Sequence, residues 1–199
     1  MILKNIVCGC KPSGYSDRDS EYTPIMDINV IRHYDTRNTS DVIDQGADGS
    51  CVSQCLFEML RYNVEKWKKK KCTIDRMWVY DRRRDRTVEG MTPREGLEIL
   101  RSSQHIQAYA KIPSAVAAKS AIMACGPILI ALPVYNATDE FWVGDGRPVG
   151  YHAVTVTAFD EDGFTFKNSW GADWNAGGYG HLPVEHFFNK VIESWTIIA

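Results

Sequence analysis

The spacing of hydrophobic residues changes from helical to strand-like near the middle of the chain. Between residues 51 and 67, apolar side chains recur at steps of three and four, which places them on one face of an amphipathic helix. Ser50 is a suitable N-cap for this helix. Three further helices are predicted at residues 74–81, 92–102 and 114–124, and Pro93 fits the first turn of one of them.

Beyond Gly126 the apolar residues form short runs bounded by turn-forming residues, which is typical of strands. The predicted strands are residues 127–135, 152–159, 163–167, 178–182 and 191–198. The polar turn at residues 160–163 joins two of these strands as a β-hairpin. A mainly helical first half followed by a mainly β second half predicts an α+β fold with two lobes.

The first part of the chain is polar and rich in turn formers, so residues 1–24 are predicted to be an extended arm. A short extended piece is expected at residues 28–31. Residues 25–110 then form the mainly helical lobe and residues 111–199 the mainly β lobe of one compact domain. Two interpretations of the arm remain open: it packs on the lobes as structure, or it lies in or near a cleft between them and restrains activity.

Composition and charge exclude several classes of function. The 199 residues are 44% hydrophobic and 24% charged, with a net charge of −2, so nothing attracts the whole molecule to nucleic acid or an anionic membrane. The basic runs at residues 68–71 and 82–84 are interpreted as solvated surface, because no aromatic residues interleave with them. No stretch is long and apolar enough to span a bilayer. Because residues 1–7 do not read as a signal peptide, the six cysteines are predicted to be reduced in a cytoplasmic protein.

Cys51 is the strongest candidate nucleophile among the six cysteines. It stands where a Gly-Ser loop enters a helix, and helix N–H groups and the helix dipole are expected to lower its pKa and favour a thiolate. Its backbone N–H and the Gln45 side chain are candidate donors of an oxyanion hole. Any cysteine can instead be an inert buried thiol, and Cys55, one turn further on, fits that description. Cys8 and Cys10 form a C-x-C pair, but without further ligands they predict no metal site.

His152 stands out among the five histidines because it opens an apolar strand. Asn168 ends the partner strand of the same hairpin, so its amide oxygen can accept from one imidazole nitrogen and leave the other for a thiolate. Trp170 can lie over this contact and exclude water. Alternatively, residues 168–171 are only a turn that ends a strand.

Three separated motifs resemble those of the papain-like cysteine peptidases. Residues 45–51 (QGADGSC) are similar to the family's Q-G-x-x-G-S-C segment, and residues 168–180 are similar to its N-S-W-G block. The step of sixteen residues from His152 to Asn168 matches the family's usual spacing. Residues 35–37 and 80–100 are similar to motifs in the short bacterial and viral members of this family. The likeness covers nearly the whole chain.

The resemblance implies a papain-like two-lobed fold, with a helical lobe, an antiparallel β-barrel-like lobe and an active-site cleft between them. It implies a monomeric cysteine endopeptidase that needs no cofactor or metal and acts on protein or peptide substrates. The implied catalytic residues are Cys51, His152, Asn168 and Gln45. Substrate is expected to pair with backbone near Gly90, beside Trp170 and a small apolar pocket formed by Met91, Ala131 and Ala153.

The sequence departs from the family pattern at three positions, and two other functions are compatible with it. Val52 replaces an aromatic residue, Asp48 a disulfide cysteine of many secreted relatives, and Asn175 a glycine. One alternative is a Cys-His amidase or acyltransferase, which would not require Gln45 or the N-S-W-G block. The other is a non-catalytic peptide-binding module on the same scaffold.

Overall fold

The computed structural model describes residues 7–25, 31–36 and 41–199. Most of the extended piece predicted at residues 28–31 lies outside these ranges, as does Arg37 of the 35–37 motif. Within the described arm, residues 7–25 contain no helix and no strand longer than an isolated bridge. None of the helices in the described ranges is long and apolar enough to cross a membrane.

Three of the four predicted helices are confirmed. The helices are α1 (Cys51–Lys66), α2 (Pro93–Ser102), α3 (Ala115–Cys125) and α4 (Val184–Lys190). The prediction for residues 74–81 is wrong, because that segment is a series of turns ending in a short 3-10 helix, Tyr80–Arg82. The Ser53 hydroxyl of α1 donates to the Arg76 carbonyl and accepts from the Tyr80 N–H. These tertiary hydrogen bonds use the Arg76 carbonyl and the Tyr80 N–H, which in a regular helix would form backbone hydrogen bonds within the helix.

The two N-termini near the cleft differ in how they are capped. α2 begins at Pro93 as predicted, and the Thr92 hydroxyl accepts from the Glu95 N–H. Ser50 precedes α1, but the prediction that its side chain caps the helix is wrong. Its hydroxyl instead accepts from Gln54 Nε2 at 3.2 Å. The Ser50 hydroxyl therefore leaves the first N–H groups of α1 to other acceptors.

The strands form one antiparallel sheet, although they differ in length. The sheet is open rather than closed into a barrel. The strands are β1 (Tyr34–Asp35), β2 (Ala108–Lys111), β3 (Ile128–Val134), β4 (Gly150–Phe159), β5 (Gly163–Lys167), β6 (Tyr179–Pro183) and β7 (Glu193–Ile198). Their order is β2-β7-β3-β4-β5-β6, with β1 paired to β4. The predicted boundary between lobes at residues 110 and 111 falls inside β2 and stays a prediction.

Hydrophobic residues fill both sides of the central strands. Along β3, Leu129 and Ala131 face a cluster built on α1 and α2, while Ile128 and Ile130 face a cluster built on α3. This alternation follows from the two-residue period of a strand. The sheet is thus the common wall of two cores, and α1 lies on one side of it with its N-terminus near the start of β4.

Candidate active site

The loop from Gln45 to Ser50 is tied to both sides of the site before it enters α1. The Gly49 N–H donates to a Glu89 carboxylate oxygen at 2.9 Å, and the Tyr80 hydroxyl donates to the same oxygen. On the other side, the Gln45 N–H donates to the Ser169 carbonyl at 2.8 Å. These bonds fix where the first residue of α1, Cys51, emerges.

The β4–β5 hairpin brings His152 and Asn168 together. The turn is formed as predicted, since the Asp160 carboxylate accepts from the N–H groups of Asp162 and Gly163. His152 Nε2–H donates to Asn168 Oδ1 at 2.8 Å, and both side chains are buried. This arrangement leaves the imidazole's other nitrogen, Nδ1, with no hydrogen-bond partner among the described residues.

Aromatic rings enclose the imidazole. Trp170 stacks on His152 with ring centroids 4.5 Å apart, as the sequence suggested. Phe141, which the sequence analysis did not single out, meets the same imidazole edge-on at 5.7 Å and contacts Trp170. The rings exclude water from the hydrogen bond to Asn168, which strengthens it.

Cys51 lies against the backbone that carries the imidazole. The N–H of Ala153, which is the amide linking it to His152, points at the Cys51 sulfur. The N–H of Val52, in the first turn of α1, points at it as well. These contacts put a buried thiol and two N–H donors beside the strand that carries the buried imidazole of His152, whose Nδ1 has no hydrogen-bond partner among the described residues.

The Gln45 side chain is held at the edge of the same space. Its Oε1 accepts from the Ser169 hydroxyl at 2.5 Å, and its Nε2 donates to the Asp48 carbonyl at 2.7 Å. An amide nitrogen carries two hydrogens, so one remains available for an oxyanion. Ser169 orients this amide and was not assigned a role from sequence, although it stands inside the quoted N-S-W-G block.

The arm covers this space. Gly9 accepts from the Met91 N–H at 2.9 Å, and Cys10 donates to the Tyr151 carbonyl at 3.2 Å. The Gly9 N–H also points at the Cys51 sulfur. Gly9 is so close to the loop before Cys51 that a Cβ there would be 2.1 Å from the Gly49 carbonyl oxygen. The arm therefore lies in the cleft.

The predicted pocket residues do come together, and they surround an arm side chain. Met91, Ala131 and Ala153 are buried in the same cluster as Cys10 and Cys51. Gly90 has a φ of 79°, and a Cβ there would be 2.3 Å from the Gly9 carbonyl oxygen. In this structure the arm occupies both the predicted backbone contact and the predicted pocket.

Sequence reasoning missed Glu193, which borders this pocket and contacts the arm. One carboxylate oxygen accepts from the Ser13 N–H and the other from Trp195 Nε1, each at 2.8 Å. Burial is the main cause that raises the pKa of Cys10, and the negative charge of Glu193 adds to it. An acidic residue inside the apolar run at residues 191–198 was the available signal.

Burial sets the protonation states of the covered pair. It raises the pKa of the Cys51 thiol to about 11, against the three N–H groups that favour the thiolate. It lowers the pKa of the His152 imidazole to about 4, against the hydrogen bond to Asn168. The expectation of a lowered Cys51 pKa is therefore wrong for the covered form, because desolvation outweighs the helix N-terminus. Near neutral pH this form contains a thiol and a neutral imidazole.

The described residues contain no group of three or more His, Cys, Asp or Glu side chains arranged to hold a metal ion. The six cysteines are all free thiols. Two of them, Cys8 and Cys10, lie on the arm at the cleft.

Comparison with known structures identifies the same architecture in proteases. Xylellain, a cysteine protease from Xylella fastidiosa, superposes with a TM-score of 0.81 at 19% identity, covering 97% of this chain and 96% of that one. Digestive procathepsin L 3 of Tenebrio molitor gives 0.76 at 15% identity, over 97% and 77% of the two chains. Bromelain of Ananas comosus in complex with E64 gives 0.69 at 18% identity, over 85% and 99%. At these identities the likeness shows the fold.

Sequence comparison adds a relative and a family. An uncharacterized peptidase C1-like protein of Acanthamoeba polyphaga mimivirus is 36% identical over 55 residues, which span 26% of this chain and only 18% of that protein. The model of the papain family of cysteine proteases matches residues 41–191. That range includes Cys51, His152, Asn168 and Gln45. The chain therefore belongs to the papain family of cysteine proteases.

Proposed function

We propose that this protein is a cysteine endopeptidase in which Cys51 is the nucleophile, His152 its acid and base, and Asn168 the group that orients the imidazole. The observation that carries the proposal is the 2.8 Å bond from His152 Nε2 to Asn168 Oδ1, which leaves Nδ1 unpartnered one residue before Ala153, whose backbone N–H contacts the Cys51 sulfur. A base held by a third group beside a thiol is the arrangement that nucleophilic catalysis requires.

The chemistry follows from these positions. The Cys51 thiol gives its proton to His152 Nδ1, and the thiolate attacks the peptide carbonyl. The Cys51 N–H and the second hydrogen of Gln45 Nε2 stabilise the oxyanion. The imidazolium then protonates the leaving amine, which leaves a thioester on Cys51. Water, deprotonated by His152, hydrolyses the thioester.

The arm suggests the path of an extended substrate. It pairs through its backbone with Met91 and Tyr151, and it places Cys10 among Met91, Ala131 and Ala153. We infer that a substrate uses the same backbone groups once the arm has left, with a small apolar side chain in this pocket. Trp170 shields the imidazole from solvent during the reaction. The described form is thus a resting form, and catalysis requires the arm to move.

The remaining expectations stay part of the proposal. A protein or peptide is the substrate, the protein acts as a monomer in the reducing cytoplasm, and it needs no metal or cofactor. The six free thiols are compatible with that location.

The test is digestion of a peptide library under reducing conditions, read by mass spectrometry. We expect cleavage by the wild type and by Cys55→Ala, which removes a buried thiol one turn along the same helix, but none by Cys51→Ala. Labelling by an epoxide at mildly acidic pH is expected at Cys51 alone. Full activity of Cys51→Ala would exclude the assigned nucleophile. Labelling without peptide cleavage would favour an amidase or acyltransferase, and absence of both a binding module.

A further inference from the structure

Two of the six cysteines lie on the arm where it crosses the cleft. Cys10 is buried in the same apolar cluster as Cys51, whereas Cys8 is only half-buried at the edge of the cleft. All of these thiols are free in the structure. The proposed mechanism uses Cys51 and gives no role to either arm cysteine.

Backbone geometry places Cys8 next to Cys51. Of the three N–H groups that point at the Cys51 sulfur, one is on the arm and belongs to Gly9, and its nitrogen is part of the amide that joins Gly9 to Cys8. The Cα of Cys8 is only two covalent bonds from that nitrogen, whereas the Cα of Cys10 is four bonds away. Gly9 is also packed against the loop that precedes Cys51, since a Cβ on Gly9 would be 2.1 Å from the Gly49 carbonyl oxygen.

The Cys8 side chain is directed at the strand that carries the imidazole. Its sulfur lies 2.8 Å from the point where a Cβ on Gly150 would stand. Gly150 is two residues before His152, and such residues share a face of a strand. A side chain at position 150 would therefore displace Cys8 from the cleft. Glycine at this position leaves room for the thiol.

We infer that Cys8 and Cys51 are a redox pair, which forms an intramolecular disulfide that locks the arm in the cleft under oxidising conditions. A disulfide needs Cα atoms about 4.4–6.8 Å apart, a range within reach of a residue whose own amide contacts the other sulfur. The inference rests on the proposed function, because the bond would inactivate the enzyme by consuming its nucleophile. In a reducing compartment the two thiols would stay free and the arm could leave.

The oxidant is a small disulfide such as oxidised glutathione, and the reaction is thiol–disulfide exchange. The half-buried Cys8 sulfur attacks one glutathione sulfur, the glutathione S–S bond breaks, and glutathione leaves with the proton of Cys8. The Cys51 sulfur then attacks Cys8 and displaces the second glutathione, which takes the proton of Cys51. The products are one Cys8–Cys51 disulfide and two molecules of reduced glutathione.

Cys10 supplies the matched control. It lies on the same short segment as Cys8, but its thiol is buried in the apolar pocket and is closed to a solvent oxidant. Side chains two residues apart on an extended segment point the same way, so sequence alone does not separate the two. Cys10 shares a core cluster with Cys51, whereas Cys8 packs against the other cluster, so packing favours Cys10. Exposure and covalent distance favour Cys8.

The test compares wild type, Cys8→Ser and Cys10→Ser after incubation with oxidised glutathione. Trypsin without reductant should yield residues 5–18 joined to residues 38–61, which contain Cys8 and Cys51. We expect this pair in wild type and Cys10→Ser, its absence from Cys8→Ser, and its loss on adding dithiothreitol. Fragmentation of the joined peptides locates the bond at Cys51 rather than Cys55.

Two results would overturn the inference: a joined pair that persists in Cys8→Ser, or wild-type protein in which Cys51 stays free or carries glutathione alone. Peptidase activity is measured in parallel, with at least a tenfold loss expected on joining and full recovery on reduction. Because the bond is detected by mass, an inactive reduced protein would count against the proposed function alone. An active reduced protein that never joins would count against the redox pair alone.

Discussion

Gly9→Ala should release the arm and expose the cleft. A Cβ at this position would be 2.1 Å from the Gly49 carbonyl oxygen and 2.5 Å from the Gly49 Cα. Both are backbone atoms of the loop before Cys51, so they cannot yield as a flexible side chain would. The arm near Gly9 must therefore leave its position.

The size of the effect follows from the contacts that depend on that position. Three backbone hydrogen bonds hold the arm in the cleft: Gly9 accepts from Met91, Lys11 donates to Met91, and Cys10 donates to Tyr151. At about 1 kcal/mol net for each, they contribute roughly 3 kcal/mol. Part of this is offset by the chain entropy that the released arm regains. A difference of about 1.4–2.8 kcal/mol corresponds to a tenfold to hundredfold change in the covered fraction.

Steady-state hydrolysis of a fluorogenic peptide measures this change. Because the arm and a substrate exclude each other, release should lower the apparent KM about tenfold to hundredfold and change kcat less than twofold. Pro12→Ala, at an exposed position of the same arm, is the control and should behave as wild type. An unchanged KM in a Gly9→Ala protein with a native circular dichroism spectrum would refute the reasoning, as would a fall in kcat alone.

Two further predictions concern stability. Burial lowers the pKa of His152 to about 4, so as the pH falls below 6.5 the unfolded chain binds a proton that the folded protein does not. The free energy of unfolding should therefore drop by up to about 1.4 kcal/mol per pH unit between pH 6.5 and pH 4. Urea unfolding checks this, and an equal slope in His152→Gln would contradict it. Glu58→Ala removes the buried carboxylate that pairs with Arg76 at 2.6 Å and with the Lys167 ammonium at 3.4 Å, and it should lower the free energy of unfolding by about 3–5 kcal/mol. The control, Glu65→Ala, breaks an exposed pair with Arg61 and should cost about 0.3–0.5 kcal/mol; similar losses in both variants would show that the buried pair is not special.

Elements with a clear period were predictable from sequence. The helix from Cys51 and the hairpin between His152 and Asn168 carry their spacing and turn signals locally, and both are confirmed. The segment at residues 74–81 has helical spacing too, but its N–H and C=O groups bind the Ser53 hydroxyl of another element. Strands β1 and β2 were missed because two and four residues are too short for a period to be visible.

The residues of the site were predictable from sequence, but their contacts and the covering of the site by the arm were not. The side chains of Gln45 and Ser169 are hydrogen-bonded although 124 residues separate them, and nothing in the local sequence predicted this contact. The position of the arm depends on contacts with Met91, Tyr151 and Glu193, and no local pattern shows that the arm would meet these residues. Sequence therefore left two interpretations of the arm open, and the structure favours the one that lies in the cleft.

The arm that covers the site also accounts for the pKa values of Cys51 and His152, which disfavour a reactive thiolate. For both Cys51 and His152, burial is the largest cause and opposes charge, while the other main contacts favour it: N–H groups at the sulfur and Asn168 at the imidazole. Of the groups that favour charge, only the Gly9 N–H leaves with the arm; those of Ala153, Val52 and Asn168 belong to the fold. Departure of the arm therefore admits water, removes the dominant penalty and keeps most of the stabilisation. In the proposed mechanism, the step that opens the cleft to a peptide is thus the same step that moves the pair toward thiolate and imidazolium.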